Sequence, residues 1–253
     1  MRPIQGMSVV ITGGGSGIGA GTARHFVERG AQVTICGRRA DKVEAVAAEL
    51  GERCRWLAAD VTVADDRARV IDAAVAHGGG IELLVNAAAN MYRGPLATLK
   101  EAALIEVFHS NVVAPMLLSA AALPHLVERQ GCIVFFGSVH VKRAFPGASP
   151  YAASKGALEA LTGVLAAELG PQGVRVSCIR PGAVLTEINQ RAGLFDDDTA
   201  RRRIDDLGPA HALGRPGTVE EIAEAIAYLA SAEWTTGAVL TVDGGLGLGT
   251  TNS

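Results

Sequence analysis

Two hydrophobic rhythms alternate along this chain. Short, almost wholly apolar runs rich in β-branched residues are followed by longer stretches in which apolar positions recur every three or four residues. The short runs, read as strands, are residues 7–12, 32–36, 53–58, 81–85, 132–136, 174–179 and 238–242. The longer ones, read as helices, are 18–29, 41–50, 65–77, a long region from Thr98 to about Arg129, 150–169, and a segment opening at Thr218. In 41–50, Val43, Val46, Ala47 and Leu50 fall at i, i+3, i+4 and i+7. Val219, Ile222, Ala223, Ile226 and Ala230 share one face of the last helix. The pairs Asp41/Glu44, Thr98/Glu101 and Thr218/Glu221 have the spacing of capping boxes, and Pro115 and Pro124 are expected to divide or kink the long region.

Strands separated by helices are the mark of parallel pairing, because a parallel partner needs a crossover. The fold class expected is therefore α/β, a Rossmann-like doubly wound sheet of seven parallel strands with helices on both faces. Residues 1–253 read as a single domain without repeat or linker. One long irregular stretch, 180–217, is expected to carry a lid over about 183–217, since so long a loop in a compact domain is usually functional.

Composition narrows the function. Apolar residues make up 49% of the chain and aromatics only 4%, which suits close helix-on-sheet packing. The formal net charge is −3, so no global basic field draws in nucleic acid or anionic lipid. Cys36, Cys54, Cys132 and Cys178 are dispersed and form no CxxC; they read as reduced thiols. The six histidines are scattered too, and no metal site is expected. No apolar leader precedes the first strand, and the apolar stretch 112–123 is interrupted by Pro115 and Ser119 and too short to span a bilayer. A cytoplasmic protein without membrane or nucleic-acid partners is expected.

The chemistry centres on residues 137–156. Tyr151 and Lys155 lie four apart, on one face if a helix starts there. A phenol has a free pKa of about 10, and a fixed ammonium beside it favours the phenolate. Such a tyrosine can exchange a proton with a substrate oxygen that Ser138, at the end of the preceding strand, could hold. The pair alone would be unremarkable on a solvated helix face.

A nucleotide site supplies the context. TGGGSGIG, Thr12 to Gly19, lies between the first strand and the first helix. Gly13 permits the tight turn, Gly17 the approach of backbone to a pyrophosphate, and Gly19 close helix–strand packing; Gly15, Ser16 and Ile18 complete the loop. No GK[ST] follows, so it is not a P-loop. The second strand ends in Cys36-Gly37-Arg38-Arg39, with no carboxylate for a ribose 2′-hydroxyl. Arg38, with Arg39 behind it, suits a 2′-phosphate, so NADP(H) is favoured over NAD(H); two solvated loop arginines are the plain alternative. Asp60 and Val61 are placed to contact the adenine. Asn86, Ala87 and Ala88, with Ala89, end the fourth strand where small residues let a cofactor lie against backbone.

In this order and spacing the motifs resemble the short-chain dehydrogenase/reductase family over about 7–245: TGGGSGIG, Asp60, NAAA (86–89), Asn111, Ser138, YAASK (151–155), Pro181-Gly182 with Thr186, and VDGG (242–245). The resemblance implies that Tyr151 is the general acid/base, that Ser138 orients the substrate oxygen, and that Lys155 lowers the Tyr151 pKa and binds the nicotinamide ribose. Asn111 would hold a water relaying protons from Lys155. Thr186 and the backbone near Ala183 and Val184 would fix the carboxamide of the cofactor, which Pro181 and Gly182 would also bind. It also implies a homo-oligomer, tetramer or dimer, packed through the helices near 98–129 and 150–169 and near the last strand.

NAAA departs from the commoner NNAG, a small change at Ala89. His140 follows Ser138 where small residues are usual; it either enters the substrate pocket or faces solvent. Lys142 and Arg143 read as a solvated pair, as do the Asp196–Asp198 and Arg201–Arg203 blocks. Leu185, Ile188, Leu194 and Phe195 suggest an apolar cover. The function expected is hydride transfer between NADP(H) and a ketone/secondary-alcohol pair, with carbonyl reduction favoured and a small-molecule substrate. An NAD-dependent alcohol or diol dehydrogenase of the same fold is the alternative, and a non-catalytic nucleotide sensor is a third reading.

Overall fold

A computed structural model describes residues 1–188, 193 and 196–249, with only the backbone of Asp197. One seven-stranded sheet forms its centre. The strands are β1 (Ser8–Thr12), β2 (Gln32–Gly37), β3 (Cys54–Ala58), β4 (Leu83–Asn86), β5 (Cys132–Phe136), β6 (Arg175–Pro181) and β7 (Val239–Val242), all parallel, in the order β3-β2-β1-β4-β5-β6-β7. The doubly wound α/β architecture expected from the two rhythms is the one observed. The strands read as unbroken apolar runs because both faces are covered. Val9 and Ile11 point to one core with Phe26, Ile222 and Ile226; Val10 points to the other with Val70, Leu118, Leu126 and Leu158.

The helices are α1 (Gly17–Glu28), α2 (Ala40–Leu50), α3 (Ala64–Gly78), α4 (Glu101–Phe108), α5 (Ala114–Arg129), α6 (Ser149–Leu169), α7 (Asp197–Asp206) and α8 (Val219–Ser231). Of the three capping boxes expected, one forms. The Thr218 hydroxyl accepts from the Glu221 amide, and the Glu221 carboxylate accepts from the Thr218 amide. At α2 the N-cap is Arg39, not Asp41, and at α4 it is Lys100, not Thr98, whose hydroxyl bonds the Pro95 carbonyl instead. In both cases the chain enters the helix a residue or two away from where the spacing placed it, so the side chain cannot reach the first-turn amides.

The long helical region is interrupted, but by a π turn rather than at a proline. His109–Val113 is a π-helical turn between α4 and α5, Pro115 sits in the first turn of α5, and Pro124 is accommodated inside it. Pro115 has no N–H to give the Asn111 carbonyl, which removes the regular α-helical bond at this point. The whole segment Glu101–Arg129 is long and apolar enough by length and composition to cross a bilayer, longer than the stretch the sequence picked out. Its Leu118, Ala122 and Leu126 are instead fully buried against the sheet.

The strand order reverses between β1 and β4, where β1 pairs on one side with β2 and on the other with β4. The crevice beyond the carboxyl ends of the strands at such a reversal is where open α/β sheets bind ligands. Thr12, Cys36 and Asn86 stand side by side there. Helix α6 is clamped to β6 by a two-pronged ion pair, Arg180 Nε to Glu159 Oε1 at 2.8 Å and Nη2 to Oε2 at 2.5 Å.

Candidate active site

A cleft of about 830 Å³ opens beyond the carboxyl ends of the central strands. Its floor is the turn from β1 to α1. Gly13 has φ +68°, and a Cβ there would lie 3.0 Å from the Ala88 backbone. A Cβ on Gly19 would collide with the Gly13 carbonyl. These two positions admit no side chain, so the turn stays tight and the start of α1 faces the cleft. Ser16 caps α1 by position, yet its hydroxyl makes no cap bond; it accepts from Arg39 Nη2 at 3.0 Å.

Most residues singled out for a cofactor line this cleft: Gly13, Gly15, Ser16, Gly17, Ile18 and Gly19 of the turn, Arg38 and Arg39 after β2, Asp60 and Val61 after β3, Ala87 and Ala88 after β4, and Pro181, Gly182, Val184 and Thr186 after β6. Thr12 and Asn86 do not. Both are buried behind the wall, where Thr12 Oγ1 accepts from the Ala88 amide at 2.9 Å and Asn86 Nδ2 approaches Ser119 Oγ at 3.4 Å. Thr12 thereby holds the alanine turn, and Asn86 ties the end of β4 to α5 rather than facing the cleft. Burial works against the Asp60 carboxylate, but hydrogen bonds from Thr62 and the charges of Arg38 and His109 outweigh it and keep its pKa below the ordinary value.

Ser138, Tyr151 and Lys155 meet on the opposite wall. Ser138 stands two residues beyond β5, and Tyr151 and Lys155 lie one turn apart in α6. All three are buried. The Lys155 ammonium is 5.6 Å from the Tyr151 ring centroid and makes no hydrogen bond or ion pair among the described residues. Burial pushes the Tyr151 phenol up to about 12, against a hydrogen bond with Ser138 that pulls it down. Burial likewise pushes the Lys155 ammonium down to about 8, opposed by Cys178. Loss of water dominates both values, and the groups that oppose it are Ser138 at Tyr151 and Cys178 at Lys155, not each other.

Asn111 lies in the π turn and does not line the cleft. Its Oδ1 accepts from the Asn90 amide at 2.7 Å, and its Nδ2 donates to the Asn90 carbonyl at 2.9 Å and to Ser154 Oγ at 3.0 Å. The side chain is spent on bracing the chain after β4 against α6. Only its backbone carbonyl, which Pro115 cannot serve, has the character needed to hold a water.

His140 enters the cleft. Its Nδ1 is 3.0 Å from Ser138 Oγ, and its ring packs on Phe145 at 4.4 Å. Burial, with the nearby charge of Arg93, pushes its pKa down to about 4. Lys142 is exposed, whereas Arg143 turns away to the Leu246 carbonyl at 3.1 Å. Leu185 is exposed and Ile188 faces the cleft; Leu194 and Phe195 lie outside the described residues. The apolar cover is supplied by Ala200, Ile204 and Leu207 of α7 and the turn after it. Arg203, read as part of a solvated block, is exposed and also borders the cleft.

The sequence reading missed Arg93, Phe145, Lys42 and Glu187, which also line the cleft. Only Glu187 carried a signal, its place directly after Thr186. Its carboxylate ion-pairs with Arg39 at 2.7 Å and with Lys42 at 3.7 Å.

The cleft fits a dinucleotide. It has a side-chain-free floor at a helix N-terminus, three alanines against which a flat ring can rest, and a buried ammonium with no hydrogen bond or ion pair among the described residues. Comparison with known proteins agrees. A family model described as enoyl-(acyl carrier protein) reductase matches residues 13–247. The chain is 37% identical over 249 residues to L-fucose dehydrogenase of Bos taurus, covering 96% of this chain and 90% of that one. It is 35% identical over 251 residues to glucose 1-dehydrogenase of Gluconobacter oxydans, covering 96% and 92%. Among solved structures, a 3-ketoacyl-(acyl-carrier-protein) reductase from Brucella melitensis complexed with NADH superposes with a TM-score of 0.86 at 30% identity, covering 96% and 99%. A match this complete, on a chain whose motifs converge in one cleft, places the protein in the short-chain dehydrogenase/reductase family as an NAD(P)-dependent oxidoreductase of CH–OH and C=O groups.

Proposed function

We propose that the protein is an NADP(H)-dependent carbonyl reductase acting on a small ketone. The observation that carries this reading is that Ser138, Tyr151 and Lys155 open into the same cleft as the basic end of β2, where Arg38, Arg39 and Lys42 stand and no β2 carboxylate does. The dinucleotide, when bound, supplies hydride exchange at its nicotinamide ring.

The chain's own residues do the rest. Ser138 holds the substrate oxygen, and the Tyr151 hydroxyl beside it donates a proton as negative charge builds there. A phenol held at about 12 is protonated at neutral pH, which suits the acid needed for reduction. Lys155 faces the cofactor ribose and stabilises the phenolate left behind. Protons return through a water on the Asn111 carbonyl. His140, neutral and in hydrogen-bond reach of Ser138, orients that hydroxyl and meets a polar group of the substrate. Pro181, Gly182, Val184 and Thr186 hold the carboxamide end, and Asp60 and Val61 the adenine. The side chains of Ile105, Val113, Met116 and Leu117 on the segment 101–129 and Val164 on α6 are exposed, which supports a homo-oligomer packed through these helices.

The experiment is a fluorescence titration with NADPH and NADH in parallel, followed by loss of nicotinamide absorbance with a panel of ketones. Tighter NADPH binding with turnover supports the reading, and Arg38→Asp should then move the preference toward NADH. If Arg38→Asp leaves the preference unchanged, the 2′-phosphate assignment is wrong. A second reading, NAD-dependent oxidation of a sugar hydroxyl, is favoured by the likeness to two sugar dehydrogenases and by a neighbour carrying NADH. Aldoses such as L-fucose and glucose therefore belong in the oxidative arm of the same panel.

A further inference from the structure

The ion cluster at the mouth of the cleft joins segments far apart in the chain. Arg39, after β2, uses a single nitrogen, Nη2, to reach both Ser16 Oγ at 3.0 Å and Glu187 Oε2 at 2.7 Å. The second contact is a close ion pair without the alignment of a hydrogen bond. Lys42, in the first turn of α2, reaches the other oxygen, Oε1, at 3.7 Å. Glu187 itself comes from the segment after β6, next to Thr186, which packs so closely on Gly17 at the start of α1 that a Cβ there would lie 3.1 Å from the Thr186 side chain. Burial opposes the carboxylate, yet Arg39, Lys42 and Ser16 outweigh it and hold its pKa below the ordinary value.

Two cations and a hydroxyl grouped round one carboxylate at a helix N-terminus are the donors that a phosphate monoester takes. The first turn of α1 carries no acidic residue of its own, so the negative charge there is imported by Glu187. Arg39 and Lys42 flank Arg38 at the end of β2, where a ribose 2′-substituent lies in open α/β dinucleotide sites.

We propose that Glu187 is an internal occupant of the seat formed by Ser16, Arg39 and Lys42, competing there with the 2′-phosphate of NADP(H). The inference rests on the NADP(H) reading above. A 2′-phosphate must displace the Glu187 carboxylate from Arg39 and Lys42, and it then faces that carboxylate as a like charge. A 2′-hydroxyl does neither, so NAD(H) binds with the Glu187–Arg39 contact in place. Glu187 therefore sets how strongly the enzyme discriminates between the two cofactors, lowering a preference that Arg38 and Arg39 create.

The test measures equilibrium binding of NADPH, NADH, 2′-AMP and 5′-AMP to the full chain, in the wild type, Glu187→Gln, Arg39→Ala and the double variant. Glu187→Gln keeps size and shape at a side chain 37% exposed, and circular dichroism checks its fold. It should tighten NADPH and 2′-AMP by about two- to fivefold, the range of partly exposed ion pairs, with NADH and 5′-AMP changed less. Arg39→Ala should weaken NADPH and 2′-AMP, and the gain from Glu187→Gln should vanish in the double variant. A Glu187→Gln protein whose NADPH-to-NADH affinity ratio matches the wild type overturns the seat, as does a gain that survives Arg39→Ala. The two proposals fail separately. A wild type that prefers NADH while Glu187→Gln moves the ratio toward NADPH removes the cofactor preference and keeps the seat. A wild type that prefers NADPH with an unmoved ratio keeps the preference and removes the seat.

Discussion

His140 stands edge-on to Tyr151, ring centroids 5.3 Å apart and planes at 84°. With Phe145 on its other side, the imidazole is wedged between two aromatic rings and loses most of its water. That desolvation, more than the charge of Arg93, is why its pKa falls to about 4. His140 should therefore show no titration by NMR between about pH 5 and 8, where a free histidine titrates. The unfolded chain takes up the proton near 6.5 and the folded one only near 4, so this residue's contribution to stability falls as the pH drops through that window. Replacing it with Phe should flatten that part of the stability–pH curve. An imidazole resonance moving with a midpoint near neutrality would overturn this assignment.

Lys155 has the same sign in a higher pH window. Its ammonium is held near 8 in the folded protein against 10.5 for the free group, so burying the charge is unfavourable below pH 8. Between those values the unfolded chain binds a proton that the folded one does not, and stability rises with pH. Lys155→Met should be more stable than the wild type at pH 7 in the absence of dinucleotide, on the order of 3 kcal/mol at most. The difference should close toward pH 10.5, as thermal melts across that range would show.

Tyr151→Phe removes one oxygen and leaves the packing. Turnover on whichever ketone or alcohol proves active should fall by about 10²- to 10⁴-fold, the usual weight of a general acid/base. Dinucleotide affinity should stay within about twofold, because the ring and its packing remain. Equal losses of binding and turnover would count against the assigned role.

The floor of the cleft is sterically defined. Gly19→Ala puts a methyl into the Gly13 carbonyl, so helix and turn must separate. Stability should fall by about 1–3 kcal/mol, the range for overpacking, and dinucleotide affinity should fall with it. Calorimetric melts with and without dinucleotide measure both.

The Glu159–Arg180 pair holds α6, and with it Tyr151 and Lys155, against β6. Its side chains are only 10% and 11% exposed. Glu159→Gln strands a nearly buried guanidinium and should cost about 3 kcal/mol, read from the denaturant midpoint. A variant as stable as the wild type would mean that the pair only offsets its own desolvation.

Local pattern alone was enough for the alternation of strand and helix, and hence for a parallel sheet with crossovers. Patterns such as the apolar run Cys132–Phe136 or the glycines at 13 and 19 state a backbone requirement that no distant contact can change. The Gly-rich turn, Ser138, Tyr151 and Lys155 were legible for the same reason: each depends on its place relative to a strand end or a helix start. Contacts between remote segments were decided only when the chain folded. The Thr98/Glu101 spacing had no cap to make once the chain entered α4 at Lys100. Asn111 became a brace for Asn90, twenty-one residues away. Arg203 came to border the cleft and Glu187 met Arg39 at its mouth, placements that no periodicity encodes. The ionisation of Tyr151 and Lys155 was also decided there, because burial, the main cause at both, is a property of the whole assembly of layers and not of the two residues' spacing.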